Sequence, residues 1–233
     1  MKTKLTCFLI CIFSTIISAQ NTSVIPLDSS LSHFISCRDF TLSNTQDEAY
    51  FTVQNLSENA AILVKASKRN GSWSDFDILT FSGEFRDIEP FLSPDNLRLY
   101  FSSNRPKNTG TSEASDYDIW YVERQTLTSD WSVPINLGPP VNTTANEFYP
   151  SISRSKTIYY TSDEFTASKK DELLFANWNG KTYSRPTPLS DSINSNKHEF
   201  NAYIAPNESF IIFSVYKGEQ GLGSGDLYIS FKD

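Results

Sequence analysis

The chain has 233 residues, with 20 Lys and Arg against 27 Asp and Glu, two His, three Cys and aromatic residues at 14%. A net charge of −7 excludes the basic footprint of a nucleic-acid binder, and so few His and Cys leave no ligand set for a zinc site. The apolar and aromatic content suits a folded, β-rich protein rather than a disordered segment or a coiled coil. No cofactor and no metal are expected.

Lys2 and Lys4 precede an apolar run from Leu5 to Ile17, which closes on Ser18-Ala19. The run is too short to span a bilayer and matches the apolar region of a secretory signal; an N-terminal membrane anchor is the competing reading. The expected organisation is a signal over residues 1–19 and a single domain over 20–233, periplasmic or extracellular, with no transmembrane segment in the mature chain. Cleavage leaves Cys37 as the one cysteine, so no intramolecular disulfide is expected. Its neighbours Phe34, Ile35 and Phe40 predict a buried, inert thiol.

After Ser23-Val-Ile-Pro-Leu27, four copies of one strand pattern follow. The first is degenerate: Phe40-Thr-Leu-Ser43, Ala49-Tyr-Phe-Thr52, Ala61–Val64 and Trp73–Leu79. The second is the fullest, with Asp87–Ser103 holding two strands around Ser93-Pro-Asp-Asn96, then Asp118–Tyr121 and Trp131–Leu137. The third reads Glu147–Ser153, Ile158–Thr161, Glu172–Phe175 and Tyr183–Leu189; the fourth reads Glu199–Asn207, Phe210–Ser214 and Asp226–Ile229. Asn-Gly pairs at 70–71 and 179–180 predict hairpins between third and fourth strands. The Gly-rich stretch from Gly218 to Gly225 predicts a hairpin between the second and third strands of the last copy. Prolines at 134, 186 and 188 suit outermost edge strands, where a missing N–H faces solvent.

The anchors Ser43, Ser93, Ser153 and Ala205 recur at the spacing of four-stranded propeller blades with variable loops. The fourth copy stops at Asp233 without its fourth strand. Leu27 precedes Phe40 by the same thirteen residues that separate Leu137 from Pro150 and Leu189 from Ala202. The fold expected is therefore all-β: a propeller of four blades of four antiparallel strands, closed by an N-terminal strand that completes the last blade and removes an open edge.

The segments EPFLSPDNLRLYFSSNRP, DYDIWYVER and WSVPINL resemble the TolB-type, WD40-like β-propeller repeats of bacterial envelope and secreted proteins. The resemblance spans nearly all of residues 23–233 and is strongest in the second repeat. It implies a propeller, a fold that hosts many unrelated activities.

Polar groups open each inner strand: Arg38 and Asp39, Asp87 and Glu89, Glu147 and Tyr149, Glu199 and Asn201. In a propeller these ring one mouth of the central channel, and the acids among them predict a negative mouth suited to a cation or a basic segment. Arg105 and Asp163, at matching strand ends, are candidates for a partner-binding rim. Neither a G-x-S-x-G elbow nor equivalent positions for His33 and His198 support Ser-His-Asp chemistry, and both histidines read as loop residues. Sequons stand at Asn21, Asn55, Asn70, Asn142 and Asn207. Two functions follow: a non-catalytic binding module for a protein or glycan partner in the envelope or outside the cell, or a glycoside hydrolase using channel carboxylates such as Glu147 and Glu199.

Overall fold

Each repeat folds as one antiparallel sheet whose strands lie side by side in chain order. The computed structural model describes residues 31, 33–107, 113–163, 170–195, 197–216 and 223–232. The first blade consists of β1 (Cys37–Leu42), β2 (Glu48–Gln54), β3 (Ala61–Arg69) and β4 (Ser72–Ile78). The second holds β5 (Asp87–Leu92), β6 (Arg98–Ser103), β7 (Asp118–Glu123) and β8 (Ile135–Asn136). The third holds β9 (Glu147–Ile152), β10 (Ile158–Ser162), β11 (Glu172–Ala176) and β12 (Thr187–Pro188). The fourth holds β13 (His198–Ile204), β14 (Phe210–Tyr216) and β15 (Gly225–Phe231). Four blades of antiparallel strands make a four-bladed β-propeller with the first strand of each blade innermost. No helix among the described residues is long and apolar enough to cross a membrane.

The core lies between blades. Tyr50 and Leu63 pack with Leu92, Leu99, Phe101 and Trp120 across the first junction. Tyr100 and Ile119 meet Ile152, Ile158, Tyr160 and Leu174 across the second. Tyr159 and Leu173 meet Ile204, Ile211 and Phe213 across the third. Period-two alternation sends one face of each sheet to each neighbour, so the middle strands are apolar on both faces.

The anchors close equivalent turns, the third one residue shorter than the others. The N–H groups of Ser43, Ser93, Ser153 and Ala205 donate to the carbonyls of Glu48, Arg98, Thr157 and Phe210. Gln46, Asn96, Lys156 and Glu208 hold the left-handed position in those turns. The hairpin expected at Asn70-Gly71 joins β3 to β4, with both residues at positive φ. Tyr216 pairs with Gly225, so β14 and β15 are the second and third strands expected around the Gly-rich stretch. The fourth strands of the second and third blades shrink to two residues each, because Pro134 and Pro186 remove donors just ahead of them. In the fourth blade β15 is the outermost described strand, and Leu227 (75% exposed) and Phe231 (68%) stand open on it. The closing strand expected from Val24–Leu27 and the signal expected over 1–19 lie outside the described residues.

Candidate functional site

Every inner strand carries a β-bulge at the same place, between Arg38 and Thr41, Ile88 and Phe91, Phe148 and Ser151, and Phe200 and Tyr203. The bulged residues Asp39, Glu89, Tyr149 and Asn201 all adopt positive φ, between 51° and 59°. For non-glycine residues this backbone is costly, and a bulge re-aims the side chains beside it. Arg38, Ile88, Glu89, Phe148, Tyr149 and Phe200, at these bulges or just before them, line one cavity.

Opposite blades touch at two levels. Arg38 of the first blade reaches Tyr149 of the third, its Nη2 donating to the phenol oxygen at 3.4 Å. Further along, Phe91 of the second blade lies 6.4 Å from Tyr203 of the fourth, centroid to centroid. Such contacts between facing blades narrow the channel at the axis. Its mouth opens into a cavity of about 510 Å³ lined by Arg38, Arg86, Ile88, Glu89, Phe148, Tyr149, Thr161, Asp171, His198, Phe200 and Tyr216.

Glu89 is the centre of this mouth. Its Oε1 receives Arg38 Nη2 at 2.9 Å, and its Oε2 receives Tyr149 N at 2.7 Å and Ser102 Oγ at 3.0 Å. Three blades are thereby tied through one carboxylate. Burial, and next the Asp39 charge, push that carboxyl up to about 7 against the pull of Arg38. Arg38 also holds Asp39, Nε to Oδ2 at 2.6 Å. The other half of the mouth is aromatic: Phe148 lies 6.4 Å from Tyr149, which lies 6.0 Å from Phe200. His198 Nδ1 stands 3.0 Å from Asp171 Oδ2 at the edge of this wall.

Of the residues expected at the mouth, the structure brings Arg38, Glu89 and Tyr149 together and places Asn201 at the equivalent bulge. It does not form a ring of four acids. Asp87, Glu147 and Glu199 are fully buried, each captured by the connection that leads into its strand. Ser82 Oγ donates to Asp87 at 2.7 Å, Thr143 Oγ1 to Glu147 at 2.6 Å, and Ser195 N to Glu199 at 3.0 Å. With those acids withdrawn and Arg38 and Arg86 present, the mouth carries mixed charge rather than the expected negative one. Arg105 is not on a rim either: it is 9% exposed, pairs with Asp87 at 2.6 Å, and lies over the rings of Phe101 and Trp120. Asp163 is half-buried and accepts from Asn146 N at 2.9 Å, just ahead of β9.

Sequence reasoning missed Arg86, Phe148, Thr161, Asp171, Phe200 and the location of His198, which begins a strand at the cavity instead of lying in a loop. Each phenylalanine follows a Glu in an inner strand and directly precedes a bulged residue, and nothing in the local sequence marks it as lining a cavity. A second unrecognised signal is N-[TS]-x-x-x-E at 142–147 and 194–199. Asn142 and Asn194 each accept from and donate to one backbone unit of the preceding third strand, at Ile119 and Leu173. Asn142 is 6% exposed and committed to these bonds, so the sequon there is structural.

No protein-family model matches the chain, and no curated protein matches its sequence. Solved structures do. Over 86% of its length the chain is similar to the Hadza microbial sialidase Hz136, at 12% identity and a TM-score of 0.54, and it spans 45% of that protein. Over 78% it is similar to a puromycin-hydrolyzing peptidase of Mycobacterium tuberculosis, at 10% identity and a TM-score of 0.53, spanning 26% of that chain. A GH43 endo-arabinanase from Bacillus licheniformis matches over 82% of the chain at 15% identity and a TM-score of 0.53, with 71% of its own length covered. The chain thus spans less than half the length of the first two. At these identities the likeness defines the class, a β-propeller, and carries no activity with it.

Proposed function

We propose that this is an exported, non-catalytic binding module of the TolB-like kind, which holds a glycan at the channel mouth. The observation that carries the reading is the aromatic wall of Phe148, Tyr149 and Phe200 beside a few fixed polar groups in one cavity. Concave, largely apolar sites with a small set of convergent polar groups are the common form of ligand pockets. Ring faces of this kind take the C–H faces of sugars, while His198, Asp171 and Arg86 orient hydroxyl groups.

Hydrolysis is the second reading, and one feature favours it: Glu89, held near 7, has the proton affinity of a general acid. Against it, both Glu89 oxygens are engaged by Arg38, Ser102 and Tyr149. Glu147 and Glu199, the pair first considered for that chemistry, do not line the cavity. The test is a glycan microarray probed with the labelled protein. Wild type is expected to bind a defined subset, and Tyr149→Ala with Phe200→Ala to weaken that binding about tenfold or more. Absence of any glycan binding, or binding untouched by the double substitution, rejects the reading.

A further inference from the structure

Resting on that reading of the mouth, we propose that its ligand is an acidic saccharide, whose carboxylate is received by Arg86 while its ring lies on the aromatic wall. The charges of the mouth are nearly all committed. Arg38 is held by Asp39 and Glu89, and His198 by Asp171. Arg86 is different. Its Nη1 donates to the Tyr117 hydroxyl at 2.9 Å, and its guanidinium lies 5.8 Å over the Tyr117 ring, which fixes its plane. No described carboxylate lies within ion-pair distance of it, and its Nε is buried without a hydrogen-bond partner. The guanidinium at the cavity wall therefore has no acid to neutralise it among the described residues, and an arginine takes a carboxylate through charge-assisted hydrogen bonds.

A second orphan points the same way. Thr52, Ser102 and Thr161 occupy equivalent places on the second strands of the first three blades, opposite Arg38, Ile88 and Phe148. Thr52 donates to Asp39 and Ser102 to Glu89, so each hydroxyl meets the acid at its own blade's bulge. The third blade has Tyr149 at its bulge, and the Thr161 hydroxyl is left buried without a partner in the wall of the cavity. Buried polar groups without partners are rare in folded proteins, and one in a cavity wall is satisfied by a ligand that brings an acceptor. A sugar ring that bears one carboxylate and several hydroxyls supplies an anion for Arg86, an acceptor for Thr161 and donors for Asp171. A run of acidic peptide residues fits less well, because its side chains bring no ring face to the aromatic wall and no hydroxyls to Thr161 and Asp171.

The test is calorimetric titration with trigalacturonate and with its carboxyl-reduced, neutral counterpart, using wild type, Arg86→Gln, Arg86→Lys, Thr161→Val and Phe200→Ala. Wild type is expected to bind the acidic sugar at least about tenfold more tightly than the neutral one. Arg86→Gln brings the two to the same affinity, Arg86→Lys restores part of the preference, and Thr161→Val weakens both sugars. Thermal melts of each variant identify any that fails to fold. Equal affinity for both sugars, with Phe200→Ala weakening both, overturns the carboxylate assignment and leaves the mouth as the binding site. Binding that none of these substitutions alters overturns both. No affinity for either sugar overturns this inference, while the microarray judges the broader reading independently. Tighter binding of triglutamate than of trigalacturonate, lost in Arg86→Gln, reassigns the site to an acidic peptide and also overturns it.

Discussion

Among single residues, Glu147 shows how the same side chain reads differently in sequence and in structure. It begins a strand, as a mouth residue does, yet burial pushes its carboxyl up to about 8, with Thr143 bonds opposing the shift. Above its ordinary value near 4.5 an unfolded chain releases this proton, whereas the folded chain keeps it until about pH 8. The folded state thus binds more protons in that window, and the contribution of Glu147 to stability is lost as pH rises through it. The expected slope is up to about 1.4 kcal/mol per pH unit for one proton. Urea unfolding at pH 5, 6.5 and 8 should show a clearly flatter pH dependence for Glu147→Gln than for wild type; identical slopes would refute the burial argument. Glu89 acts in the same direction up to about 7. The sequence marks both acids as unusual by their place in the repeat. It does not say which faces the cavity, because that depends on whether a hydroxyl four or five residues earlier captures the carboxylate.

Strands and turns were largely legible before any coordinates. The serine anchors, the Asn-Gly hairpin at 70–71 and the apolar middle strands all follow from local chemistry, and each holds the place expected of it. The bulges were not legible. A strand with period-two alternation gives no sign that Asp39, Glu89, Tyr149 and Asn201 adopt left-handed backbone, since none is glycine. The positions beside them, Phe148 and Phe200 above all, for that reason carry no mark in the sequence that they line a cavity. The open β15 raises a question at the same scale. In the second and third blades Leu137 N and Leu189 N donate to the carbonyls of Ile119 and Leu173, and Leu79 N does so to Leu63 in the first. Leu227 holds the same place in β15, and the spacing sets Leu27 opposite it. If residues 24–27 form the closing strand expected from the repeat spacing, deleting residues 20–28 lowers the melting midpoint by about 5 °C or more. An unchanged melt would mean that this segment does not cover β15.

The whole molecule uses its repeat unequally. Four equivalent bulges surround one axis, but the first two blades fill theirs with a satisfied network of Arg38, Asp39 and Glu89, while the third and fourth present Phe148, Tyr149 and Phe200. Fourfold architecture supplies rigidity, and departure from fourfold sequence supplies a site with a polar side and an apolar side. Fold was readable because it rests on features that recur; the site was not, because it rests on the columns where the copies differ. On the function proposed, this mouth holds a glycan without cleaving it. The most direct measurement is to incubate the protein with each glycan it retains and assay new reducing ends over a day, alongside Glu89→Gln. Intact glycan should be recovered in full, with no difference between wild type and variant. Reducing ends that accumulate with wild type and vanish with Glu89→Gln would contradict that function.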